Sequence, residues 1–503
     1  MRAAIQVCGT ASGVGKSVIV SGLCRILLQE GFSVCPFKAQ NMSLNSFVTS
    51  EGEEMGRAQV TQAQACRITA HSDMNPVLLK PTTDIGAQVI VQGKPIGNKT
   101  AREYQDKEFK KKLFFEVKDS FDRLSKEYDI IVMEGAGSPA EINLKRHDIV
   151  NMKMAEYAKA QVILVGDIDK GGVFASLIGT LELLEKKERE KIRGFIINKF
   201  RGDKYLLKEG IDFLQKKTKK RVLGIIPYFK EIKIPEEDSL SLESRVEKTG
   251  NRGRGLNVAV IKLPHISNFT DFDPLERERG VSLKYVSAPE GLGSPDVIIL
   301  PGSKNTIADL AWLKRSGLAD KILTTYHSRL TTVLIGICGG YQMLGKKIYD
   351  AFGIESRKKE TDGLGVLPII TYLEKEKTLA QVKGEELNSG LSVSGYEIHH
   401  GHSCEPSQLN PVFKITRKAG KTIEYFDGTI ENKGRSWGTY IHGVFDEGRF
   451  RKKFLNRIRL RKGLPISNAY AAFNLDKEFD KLAQLIRENI DIRMLYKMMG
   501  LKL

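Results

Sequence analysis

One junction near the amino terminus narrows the folds open to this chain. A largely apolar hexamer, Ala3 to Cys8, runs into Gly9-Thr-Ala-Ser-Gly13-Val-Gly15-Lys16-Ser17, and the segment from Gly15 to Glu30 reads as a helix. A buried strand, a glycine-rich turn and a helix in that order let backbone N–H groups converge on phosphate oxygens at the helix N-terminus. Gly9, Thr10, Gly13, Gly15, Lys16 and Ser17 are therefore the expected ATP-binding residues. Lys16 is expected to reach the outer phosphates and the Ser17 hydroxyl to ligate Mg²⁺. The usual spacing of such loops is not met strictly, because the first glycine comes one residue early and Thr10 holds its place.

Further apolar runs follow at 32–37, 129–133, 161–165, 194–198 and 222–226, separated by helical stretches such as 173–187. Strands alternating with helices at this spacing predict an α/β fold with a doubly wound parallel sheet. A carboxylate at a strand's carboxyl end, across from the phosphate loop, is where a magnesium ligand is needed. Glu134, ending the 129–133 run, fills that position, and Asp167 and Asp169 carry the same logic less directly. Asp148, downstream of the Glu134 junction, is a further candidate site residue.

A second α/β pattern begins at 256–261, with further strands at 297–300 and 332–337. The expected domains are 1–244, an ATP-binding domain; 245–255, a polar glycine-rich linker; 256–447, a second α/β domain; and 448–503, a basic helical extension. In the second domain Thr332 to Ile337 is an apolar strand, followed by Cys338, two glycines and a helix. A sharp strand-to-helix turn lifts a nucleophile clear of the sheet, and the helix N-terminus favours the thiolate. The nucleophile needs a base in reach. His442 is one candidate; His399, His400 and His402 are its rivals, and position alone does not separate them.

The chain has 503 residues with a formal net charge of +18. The basic residues are scattered: the densest run, Lys216 to Arg221, is six residues broken by one Thr. Neither nucleic acid nor a membrane is expected as a partner. The six cysteines contain no C-x-x-C pair, which fits reduced thiols in a cytoplasmic protein better than a disulfide or zinc framework.

The phosphate loop resembles the dethiobiotin-synthetase and MinD-like branch of P-loop proteins, without the partition-ATPase lysine, whose position holds Ala11. The elbow around Cys338 and the loop Leu300-Pro-Gly302-Ser-Lys-Asn-Thr306 resemble class I glutamine amidotransferase domains. That resemblance implies that Cys338 attacks a glutamine amide, that His442 relays the proton, and that amides near Gly302 and Gly339 hold the oxyanion. Such domains usually carry His-Pro-Glu; in this chain Val444 stands at the third position, and another group must orient the imidazole.

Further motifs are similar to those of the cobyric acid synthase family. They include Lys38-Ala-Gln40-Asn41-Met-Ser-Leu-Asn45-Ser, Glu54-Met-Gly-Arg57-Ala-Gln59, Glu134-Gly-Ala-Gly-Ser138-Pro-Ala-Glu141, Pro235-Glu-Glu-Asp238-Ser-Leu and Gly395-Tyr-Glu-Ile-His399. The resemblance implies ATP- and glutamine-dependent amidation of the b, d, e and g carboxylates of a corrinoid polycarboxylate, adenosylcobyrinic acid a,c-diamide, through acyl phosphates. The alternatives are a cobyrinic acid a,c-diamide synthase, a partition-type ATPase and a regulatory glutamine-binding module with a dead site. The Lys38–Ser46 and Pro235–Leu240 segments disfavour the first, and Ala11 with the Cys338 elbow the second. Glutaminase turnover would separate the third.

Overall fold

The strand Ala3–Gly9 lies at the middle of a six-stranded parallel sheet, with Ile130–Glu134 on one side and Gln161–Asp167 on the other. Counted by first residue across the sheet, the strands run 221, 192, 161, 3, 130, 34. Chain order thus reverses around the central strand. Carboxyl ends of strands at such a reversal open a crevice for ligands. Register puts Val7 opposite Glu134 and Gly9 opposite Val165, so the phosphate loop and Glu134 leave the same edge.

The computed structural model describes residues 3–83, 86–235, 255–356, 358–404, 410–468 and 473–501. Residues 245–254 of the expected linker, and 236–240 of the motif beginning at Pro235, lie outside the described residues. The chain forms two units. The first comprises Met1–Ser43, Met55–Glu237 and Asn474–Leu503; the second, Leu44–Glu54 and Asp238–Phe473.

In the first unit the helix Lys16–Gln29 buries Ile19, Leu23, Ile26 and Leu27 against the sheet. Leu475–Asn489 covers its other side with Phe479, Leu482, Ala483 and Ile486, four residues spaced as a single helical stripe. A Cβ on Gly22 would come within 2.2 Å of Ile486. The stretch 448–503, expected as a single extension, therefore divides. Gly448–Arg461 belongs to the second unit, while Leu475–Asn489 and Ile492–Met499 complete the core of the first. A smaller four-stranded sheet, Gln40–Met42, Val77–Thr83, Gly86–Val91 and Lys94–Thr100, also belongs to the first unit.

The second unit holds another six-stranded sheet. Five strands are parallel, in the order Val281–Val286, Leu256–Ile261, Val297–Leu300, Val333–Ile337 and Ser436–Thr439; Thr429–Glu431 is antiparallel at the edge. The sequence pattern did not signal the long antiparallel pair Ile370–Glu386 and Leu391–Cys404, because the charged run Glu374–Lys377 interrupts the alternation.

Candidate active sites

The phosphate loop is built by two left-handed glycines, Gly13 at φ 71° and Gly15 at φ 97°. Gly15 is required twice over: an L side chain is strained at that φ, and its Cβ would lie 2.2 Å from Asn198 Nδ2. Asn198, at the end of a neighbouring strand, donates to the Val14 carbonyl at 2.8 Å, and Thr10 N–H donates to Val165 at 2.9 Å. Lys16 leads the helix and donates to the carbonyls of Ala11 (2.9 Å) and Gly137 (3.2 Å), so it lies across the mouth of the loop.

Ser17 Oγ donates to Glu134 Oε1 at 2.9 Å. Glu134 is buried, and Lys38 Nζ meets the same oxygen at 2.8 Å while Gln62 holds the other. Among the described residues no group of three or more His, Cys, Asp and Glu side chains could hold a metal ion. A hydroxyl and one carboxylate still fit Mg²⁺, which keeps several waters and takes its remaining oxygens from substrate phosphates. Asp167 and Asp169 are otherwise engaged: Asp167 pairs with Lys199 at 2.7 Å, and Asp169 pairs with Arg201 at 2.7 Å.

Asp148 accepts N–H groups from Val150 (2.9 Å) and Asn151 (3.1 Å), so it closes the turn before the helix Met152–Tyr157. Burial raises its pKa; those two amides and Lys110 oppose the rise. It also lines a cavity of about 140 Å³ with Lys145, Lys153 and Lys191.

In the second unit Cys338 stands between the strand Val333–Ile337 and the helix Gly339–Leu344, at φ 49° and ψ −108°. Such backbone strain in a non-glycine residue persists only where its surroundings enforce it. Around Cys338 they do. A Cβ on Gly340 would fall 1.9 Å from the Leu300 carbonyl oxygen, so the helix is in backbone contact with the neighbouring strand Val297–Leu300. The Cys338 thiol is buried and donates to the Ile398 carbonyl at 3.6 Å. Gly339 lies against Ser303, whose amide nitrogen a Cβ there would meet at 2.9 Å; a Cβ on Gly302 would be 3.0 Å from His442 Cε1. Gly302, Gly339, Cys338 and His442 thus share one neighbourhood.

His442 is buried, and its Nδ1 is 2.6 Å from Asp271 Oδ2; the other Asp271 oxygen accepts Gly443 N–H at 3.1 Å. The Tyr396 ring stacks on the imidazole at 5.4 Å and 18°. Nε2 has no hydrogen-bond partner of standard geometry among the described residues. Burial works to lower the His442 pKa, but the Asp271 carboxylate and then the Cys338 sulfur outweigh it and raise it to about 10. The imidazole thus keeps its proton next to the Cys338 sulfur. The other three histidines are placed differently. His399 donates to the Gly401 carbonyl at 2.8 Å, and burial pushes it down to about 4; His400, at 3.1 Å from the Glu374 carbonyl, is likewise held at about 4. His402 pairs with Glu374 at the surface.

Asp271 is the residue that sequence reasoning missed. It sits in a single buried 3-10 turn, Phe269–Phe272, 171 positions before the histidine, and no local pattern there points to residue 442. Val444, two residues after the histidine, is a buried apolar residue. No helix among the described residues is long and apolar enough to cross a membrane.

Residues 5–242 match the CobQ/CobB/MinD/ParA nucleotide binding domain, and residues 257–450 match the CobB/CobQ-like glutamine amidotransferase domain. The chain is 49% identical over 503 residues to the cobyric acid synthase of Clostridium botulinum (strain ATCC 19397 / Type A), covering 99% of this chain and 100% of that one. It is 47% identical over 506 residues to the cobyric acid synthase of Syntrophobacter fumaroxidans, covering 98% of each. It is also 49% identical over 495 residues to the adenosylcobalamin biosynthesis bifunctional protein CobDQ of Leptospira interrogans, covering 98% of this chain and 56% of that protein, so it spans about half of that relative. With nearly half of all positions identical along the full length of two relatives, this chain belongs to the cobyric acid synthase family.

Proposed function

We propose that the chain amidates the b, d, e and g carboxylates of adenosylcobyrinic acid a,c-diamide, using ammonia cut from glutamine and activation by ATP. The observation that carries the reading is the Asp271–His442 contact of 2.6 Å beside Cys338 in its strained elbow. The Cys338 thiolate attacks the glutamine amide carbon. Protonated His442 gives its proton to the departing ammonia, and a γ-glutamyl thioester remains for water to hydrolyse to glutamate. The Gly302 and Gly339 region supplies the amides that face the oxyanion. Asp271 holds the imidazole in the tautomer and orientation that the exchange needs.

At the other site a corrinoid carboxylate attacks the outer phosphate of ATP, giving an acyl phosphate and ADP; ammonia then displaces phosphate to leave the amide. A free carboxylate resists nucleophiles because of its charge, and the phosphoryl group provides a leaving group. Lys16 neutralises charge on the transferring phosphate, and the loop amides hold the others. Ser17 and Glu134 would hold Mg²⁺, whose contribution when bound is further charge neutralisation. Asp148 is the candidate for the acyl-phosphate site; it lines a cavity in which Lys145, Lys153, Lys187 and Lys191 alternate with Glu156, Glu185 and Glu188.

Cys338→Ala separates the two reactions. Amidation driven by glutamine is expected to vanish and amidation driven by ammonium salts to persist, with substrate mass following each added amide. Loss of both in a folded variant, or retention of glutaminase turnover, would defeat the assignment.

A further inference from the structure

Leu44–Glu54 interrupts the stretch that forms the first unit, with Ser43 before it and Met55 after it both in that unit, yet it belongs to the second. Its grip there is specific. Asn45 Oδ1 accepts the N–H of Phe269 at 3.1 Å, and Asn268 Oδ1 accepts the N–H of Ser46 at 3.0 Å. Both asparagine side chains are buried. Asn268 precedes the turn Phe269–Phe272 but makes no side-chain bond to it. A residue in that position normally accepts one of the turn's unpaired N–H groups. In this chain Asn45 accepts the first of them, and the Asn268 side chain is committed to Ser46. The turn so held is the one that carries Asp271.

The segment also meets the second support of the imidazole. The Tyr396 hydroxyl donates to the Ser46 carbonyl at 3.1 Å, and the Phe47 ring lies edge-on to the Tyr396 ring at 5.0 Å. Tyr396 stacks on His442 and exchanges two backbone hydrogen bonds with it, at 2.9 and 3.1 Å. Ser46 is thus bonded through its N–H by the residue before the Asp271 turn and through its C=O by the ring that covers His442.

We infer that Asn45 is a positioning residue for glutamine hydrolysis, acting through the Phe269–Phe272 turn to fix Asp271 against His442. The inference rests on the assignment of Cys338 and His442 to glutamine hydrolysis. Asp271, Cys338 and His399 act on the charge of the imidazole, and the Tyr396 ring, its hydroxyl turned to Ser46, stacks on it. Loosening Asp271 removes the strongest of the influences that keep the ring protonated.

The test compares Asn45→Leu with Asn45→Asp, which keeps an oxygen for the Phe269 N–H, in the full chain. In Asn45→Leu, glutaminase kcat is expected to fall about tenfold or more with KM for glutamine unchanged, and the alkaline limb of the pH profile to move to lower pH. Asn45→Asp is expected to recover most of kcat, and ammonium-driven amidation to stay within about twofold of wild type in both. Should Asn45→Leu fail to fold, Tyr396→Phe, which removes only the hydroxyl held by Ser46, is expected to lower kcat in the same sense. Wild-type kcat in folded Asn45→Leu, or a fall with an unmoved alkaline limb, would overturn the inference. Glutaminase turnover surviving in Cys338→Ala would instead overturn the assignment on which it rests, so the two failures are distinct.

Discussion

Asp271 and His442 meet at 2.6 Å across 171 positions of sequence, and the same carboxylate also takes the N–H of Gly443. One oxygen fixes the ring and the other fixes the backbone that carries the ring. On the proposed reading Asp271 does what a glutamate two residues after the histidine would do; in this chain that position holds the buried Val444. Asp271→Asn keeps the shape but loses the charge and allows the wrong tautomer. Glutaminase kcat/KM is expected to drop about 10²–10⁴-fold, with ammonium-driven amidation unchanged. Coupled assays with each nitrogen source decide it; full glutaminase activity in the variant would remove Asp271 from the mechanism.

The same contact has a signature in stability. The His442 pKa is raised from 6.5 to about 10 in the folded chain. A group whose folded pKa is raised lends stability that is fully present below its unfolded value and is lost as pH climbs through the folded one. The second unit should therefore lose stability progressively between pH 6.5 and 10. In Asp271→Asn the loss should be complete at lower pH. Melting temperatures of both proteins across that range, compared as a difference, give the measurement; parallel curves would contradict the pairing.

How much of this was legible beforehand depended on whether the signal was local. The strand–loop–helix around Lys16 and the elbow at Cys338 are short contiguous patterns in which glycine placement, apolar run and helix start agree. Asp271 is different in kind. Nothing near Phe269–Phe272 refers to residue 442, and the pair meets only because Ser436–Thr439 inserts beside Val333–Ile337 and its continuation reaches the turn. The same holds for Leu475–Asn489. It reads in sequence as part of a basic helical extension, with no sign that Phe479, Leu482 and Ile486 pack on the helix Lys16–Gln29. Asn45 read as part of a family motif, while its bond to Phe269 spans 224 positions. Periodicity reports what a segment buries; it is silent on what it is buried against.

Glu134 carries two neighbours on one oxygen, Ser17 at 2.9 Å and Lys38 at 2.8 Å. Glu134→Gln leaves an acceptor for Lys38 but no charge to balance it or to help bind a cation. Ammonium-driven amidation should fall about 10²-fold, while glutaminase turnover is maintained. Removing one charge of a buried pair costs up to about 3–5 kcal/mol, less at this position because the amide can still accept. Urea unfolding separates that cost from catalysis. A variant that amidates normally would reduce Glu134 to a partner for Lys38.

The end of the chain is anchored by charge as well as by packing. Arg25, almost wholly buried in the Lys16–Gln29 helix, pairs with Asp476, which Arg67 also engages at 2.6 Å; Asp480 is 3.6 Å from Arg25. Arg67 and then Arg25 hold the Asp476 carboxyl down to about 2. A depressed carboxylate lends stability above its unfolded value of 3.8 and loses it as pH falls toward 2. Because Asp476 is 45% exposed, solvent screening reduces what the pair contributes. Asp476→Ala still leaves a buried guanidinium with the longer contact to Asp480 and the face of the Phe479 ring, and is expected to cost about 1–3 kcal/mol. The loss should appear as faster proteolysis within 475–499, together with a lower unfolding midpoint. Unchanged protection of that segment would mean that the apolar stripe of Phe479, Leu482 and Ile486 holds it without the charge.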